Sequence, residues 1–127
     1  MLDDTLEIVR DKKLPLIYIG GEIFCLGSLK MTVRKTLFVS IIRRVEYVKT
    51  IDYAYNLSLE GIGNIFRYDN EHVHEGHCFP HHKHVYDPPG KNHRVLEIES
   101  EEDWPTLGEA LREARQYYWN NLSTSGN

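Results

Sequence analysis

The stretch EYVKTIDYAYNLSL, residues 46–59, constrains the fold more than any other part of the chain. Tyr53, Tyr55, Leu57 and Leu59 alternate with Ala54, Asn56 and Ser58, and a period of two puts the first set on one face of a strand and the second on the other. One face is expected to be buried and the other wetter. Upstream, KTLFVSIIRR sets Leu37, Val39 and Ile41 against Phe38 and Ile42, the pattern of a central strand covered on both sides. LPLIYIGGEIFCLG carries β-branched and aromatic residues around Gly20-Gly21 and reads as a hairpin or a bulged strand. After a turn at Glu60-Gly61 come GNIFRYD and, beyond the turn signal Asp87-Pro88-Pro89-Gly90, a short strand RVLEIE over 94–99.

Helices are expected at both ends. Asp3 or Asp4 can cap a short helix over about 5–13, with Arg10, Lys12 and Lys13 near its C-terminal end and Pro15 ending it. Thr106 with Glu109 three residues on is a capping box, and Leu107, Ala110, Leu111, Ala114 and Tyr118 recur at helical spacing, so a helix runs from about 106 to 121. The sum is an α+β fold: an antiparallel β-sheet of about five to six strands with an N-terminal and a C-terminal helix. At 127 residues a single domain, 1–127, accounts for the chain, with 122–127 a frayed tail.

A net charge of −4 gives no global field for nucleic acid, so contact with RNA would need a local patch. The N-terminus lacks the apolar core of a signal peptide, and the longest mostly apolar run, TLFVSII, is far short of a membrane span. A cytoplasmic protein is expected, with Cys25 and Cys78 as reduced thiols.

Six of the seven histidines fall within DNEHVHEGHCFPHHKH, residues 69–84. One reading is a metal site: His72, His74, His77 and Cys78 offer nitrogen and sulfur donors that zinc accepts, although there is no CxxC or HExxH. A second is acid–base chemistry. RNA cleavage by 2′-hydroxyl attack needs a base, an acid and a cation, and an extended 81–86 puts His82, His84 and Tyr86 on one face with His81, Lys83 and Val85 on the other. A third is a polar surface loop with incidental histidines. FRYDN, just ahead, puts Arg67 and Asp69 on one face of a strand end, where an ion pair would orient either side chain.

FRYDN at 66–70, PHHKH at 80–84 and a C-terminal helix together resemble the TumE-like toxins of bacterial and archaeal toxin–antitoxin systems. Arg67, Tyr68, Asp69 and Asn70 match the family's first motif, and His82, Lys83 and His84 its second; His72, His74, His77 and Cys78 lie in the variable spacer. The resemblance implies a growth-inhibiting toxin acting on RNA, neutralised by an antitoxin with a DNA-binding domain. The expected site has His82 and His84 as base and acid in either order, and Arg67, Lys83 and Asn70 binding substrate. Asp69 orients a histidine or the arginine, and Tyr68 stacks on a base or donates its hydroxyl. No cofactor is required in this reading. The alternatives are a non-catalytic zinc- or partner-binding module on the histidine segment and a metal-dependent nuclease using Asp69. A homo-oligomer is compatible with each.

Overall fold

The computed structural model describes residues 3–70, 81–91, 93–99 and 104–123. Eight strands form one antiparallel sheet: β1 (Asp3–Asp4), β2 (Glu7–Arg10), β3 (Leu16–Phe24), β4 (Leu29–Ile42), β5 (Val45–Leu59), β6 (Gly63–Asp69), β7 (His82–Tyr86) and β8 (His93–Glu97). From β3 to β8 each strand pairs with the next in sequence, while β1 and β2 both pair with β3. A helix, α1 (Leu107–Tyr117), follows and ends in a π-helical turn over Tyr118–Leu122. Among the described residues no helix is long and apolar enough to cross a membrane.

The N-terminal segment departs from expectation. No helix forms over 5–13; β1 and β2 lie there instead and bring the strand count to eight. The reason is pairing and turn chemistry. Ile8 and Val9 are β-branched and pair with Ile19 and Tyr18, a backbone ladder that outweighs any local helical preference. Asp4, the candidate cap, accepts from the Leu6 amide at 3.1 Å. Asp11 accepts from Lys13 and Leu14 and so turns the chain back toward β3; these bonds, from Leu14 first, hold its carboxyl below the usual range. Gly21, at φ +142, admits the edge chain: a Cβ there would stand 2.6 Å from the Thr5 carbonyl oxygen. Accordingly LPLIYIGGEIFCLG is one strand crossing its two glycines, followed by a tight turn at Leu26–Ser28.

The core lies between one sheet face and α1. Met31, Val33, Tyr55, Leu57 and Phe66 are buried from the sheet side, and Ala110 and Ala114 from the helix side. The two alanines keep the helix surface low, so the large side chains of the strands fill the gap. Both halves of the capping box are present: Thr106 Oγ1 accepts from the Glu109 amide, and the Glu109 carboxylate accepts from the Thr106 amide. Leu122, expected in the frayed tail, packs against this core at the end of the π turn. Burial pushes the free thiol of Cys25 up, and Cys78 lies outside the described residues.

The β4–β5 hairpin outruns the rest of the sheet. It turns through Arg43 and Arg44, both at positive φ, in the two-residue form whose twist matches the flanking strands. Helix α1 covers only the inner end, so the expected double coverage of Leu37–Ile42 fails: Val39 is buried, but Phe38, Ile41 and Ile42 are exposed. The alternation in 53–59 holds in part: Tyr53, Tyr55 and Leu57 are buried and Asn56 and Ser58 half-buried, but Ala54, on the face expected to be wetter, is buried as well, and Leu59 is only half-buried.

Candidate functional site

The site is built by the register between β6 and β7, where Asp69 stands opposite His82 and Arg67 opposite His84. Directly opposed residues of an antiparallel pair project to the same side, so these four side chains share a face. Tyr68 and Lys83, also opposed, project to the other face, toward α1. Strand β8 extends the first face with His93, which stands opposite Tyr86.

Asp69 is buried and organises the cluster. Arg67 donates through Nε to Asp69 Oδ2 at 2.7 Å, the pair expected from FRYDN. His84 Nε2 lies 3.0 Å from the same oxygen, a contact that becomes an ion pair only when the imidazole is protonated. On its other side, His84 Nδ1 is 2.7 Å from His93 Nε2. The His93 ring stacks on His84, and Tyr86 lies nearly parallel to His93 with ring centroids 4.7 Å apart. The result is a line running from the buried carboxylate through a nearly buried imidazole to an exposed one.

Burial pushes the His84 pKa below its ordinary value. Asp69 pulls it back in part, while His93, Arg67 and His82 add to the depression. Neutral His84 therefore prevails at neutral pH. If its Nε2 carries the hydrogen facing Asp69, Nδ1 is left to accept from His93 Nε2, and His93 Nδ1 then offers a lone pair at the surface. The sequence argument missed His93 because it lies outside the histidine cluster. The signal for it was the turn at Asp87–Gly90, which makes β7 and β8 a hairpin and places Tyr86 against residue 93.

The remaining candidates divide between two other settings. His82 has no exposed surface, and its ring centroid is 6.4 Å from that of His84. Asn70 extends the sheet beyond the end of β6, accepting from the Tyr53 amide at 2.9 Å and donating to the Ile51 carbonyl at 3.1 Å. Lys83 and Tyr68 both bond the Glu113 carboxylate of α1, and Lys83 Nζ lies over the Phe66 and Tyr68 rings. Burial, then the bond to Glu113, pushes the Tyr68 hydroxyl far up, so it remains protonated. Sequence reasoning did not single out Glu113. His81 is also structural in its contacts: its Nδ1 lies 2.9 Å from the Tyr53 hydroxyl, and its ring stacks on Trp104. The donors of the metal reading, His72, His74, His77 and Cys78, lie outside the described residues.

Searches of curated proteins and of solved structures find no match. The family model described as Toxin TumE matches residues 3–118, from β1 to the end of α1 and across every strand that builds the site. The match spans most of the chain, and the chain belongs to the TumE toxin family.

Proposed function

We propose that the protein is a growth-inhibiting toxin that cleaves RNA without a metal, through Arg67, Asp69, His84 and His93, and that an antitoxin with a DNA-binding domain holds it in check. The observation that carries this reading is the contact series Asp69–His84–His93, ending at an exposed imidazole. A buried carboxylate behind two linked imidazoles is suited to taking up a proton at one end and stabilising the resulting charge at the other. In the proposed reaction, His93 Nδ1 accepts the proton of an RNA 2′-hydroxyl. The 2′-oxygen attacks phosphorus, the bond to the 5′-oxygen breaks, and the protonated pair returns a proton to that leaving oxygen. The products are a 2′,3′-cyclic phosphate and a 5′-hydroxyl. Arg67, fixed through Nε by Asp69 on the same face, supplies a cation for the developing phosphorane charge.

Here the second imidazole is His93 rather than the fully buried His82. Lys83, Tyr68 and Asn70 contribute by fixing the sheet and α1 around the reacting groups. Growth after induction of the wild type, His84→Ala, His93→Ala and His82→Ala tests the assignment. The wild type is expected to arrest growth, and His84→Ala and His93→Ala to relieve the arrest at equal protein level. Undiminished arrest by the His93 variant sinks the relay.

A further inference from the structure

The distal half of the β4–β5 hairpin combines three features that the histidine site does not use. The first is an edge left open among the described residues. Strand β5 pairs with β4 along its whole length, but pairing with β6 begins only at Ala54, and the Asn70 side chain takes up the Ile51 carbonyl and the Tyr53 amide. Among the described residues nothing pairs with Val45–Thr50 on that side. The second is apolar exposure on both faces: Ile41 is 67% exposed, Ile42 57% and Val48 58%, with Val45 and Tyr47 beside them. The third is charge. Arg43, Arg44 and Lys49 crowd the tip against a single carboxylate, Glu46, which Arg10 engages at 2.8 Å, in a chain whose net charge is −4.

An edge that no described residue pairs with, flanked by apolar side chains, invites an added strand, and the basic tip selects its charge. We infer that Val45–Thr50 is the docking strand for an extended segment of the antitoxin in which apolar and acidic residues alternate, added to the sheet as a further strand. Two copies of this chain paired in parallel along this edge would bring like-charged tips together. RNA would find aliphatic Ile41, Ile42 and Val48 where stacking surfaces are needed, and would leave the edge amides without a ladder.

The probe is a ten-residue peptide alternating valine or tyrosine with glutamate. Its controls replace glutamate by lysine or place proline at the centre. With the full-length protein, the glutamate peptide is expected to bind and to slow amide exchange over 45–50, and neither control to do so. An Arg44→Glu/Lys49→Glu variant, shown to be folded by circular dichroism, is expected to lose about tenfold or more in affinity for the glutamate peptide and to gain affinity for the lysine peptide. Absence of binding overturns the inference, as do equal affinity for the glutamate and lysine peptides and binding without protection of 45–50. So does protection of those amides by self-association, or by a uridine oligonucleotide in place of the peptide. RNA cleavage by the tip variant, assayed alongside, reports on the histidine relay separately.

Discussion

Asp69 tunes the imidazole of His84. The carboxylate is the one neighbour that raises the pKa of an imidazole otherwise pushed down, so Asp69→Asn is expected to lower the His84 midpoint further, as read by NMR titration. An unchanged midpoint would show that the two side chains do not interact. The same depression fixes the sign of two pH effects. Catalysis that needs neutral His84 persists above a midpoint lying below the ordinary imidazole value and declines on acidification through it. Stability follows the same direction. His81 and His84 both have lowered folded-state values, so their contribution is complete above the unfolded imidazole range and is lost as pH falls through the folded values. The urea midpoint is therefore expected to be lower at pH 5.5 than at pH 7.5. At this scale the sequence was partly readable. Arg67 and Asp69 stand two apart in a strand, so their pairing follows from local geometry alone. His93 depends on which strand lies beside β7, a long-range fact that residue spacing does not carry.

Helix α1 is fastened to the site-bearing strands through Glu113, whose carboxylate receives both Lys83 and Tyr68. Glu113→Gln weakens both contacts and leaves a half-buried ammonium poorly paired. Because the pair retains some exposure, the expected cost is about 1–2 kcal/mol, seen as a lower urea midpoint at unchanged slope. Gly21→Ala tests the N-terminal edge. The new Cβ meets the Thr5 carbonyl at a φ that an L-residue rarely adopts, and more than about 1 kcal/mol is expected to be lost. Faster amide exchange over 3–10, with the core unchanged, would locate the effect. The C-terminal helix was legible because its capping box and apolar spacing agree. The N-terminal helix was misread because charge and cap signals were local, whereas the outcome was decided by pairing with β3.

Across the whole molecule, the sheet is laid down nearly in chain order, and its two faces have separate tasks. One packs on α1 and contains the apolar core; the other carries Arg67, Asp69, His84 and His93. This division explains why Lys83, adjacent in sequence to both candidate histidines, belongs to the packing side. It also explains why Leu57, fully buried under α1, matters to a site it does not touch: Leu57→Ala is expected to cost about 2–5 kcal/mol and to loosen β6 together with the helix. The central claim concerns the chemistry on the other face. Purified protein incubated with RNA in excess chelator tests it most directly, with the cleaved ends identified. The relay predicts 2′,3′-cyclic phosphate and 5′-hydroxyl ends from the wild type, and rates lower by about 10²-fold or more for His84→Ala and His93→Ala. Intact RNA with active wild-type toxin, or equal cleavage by the His93 variant, would contradict it.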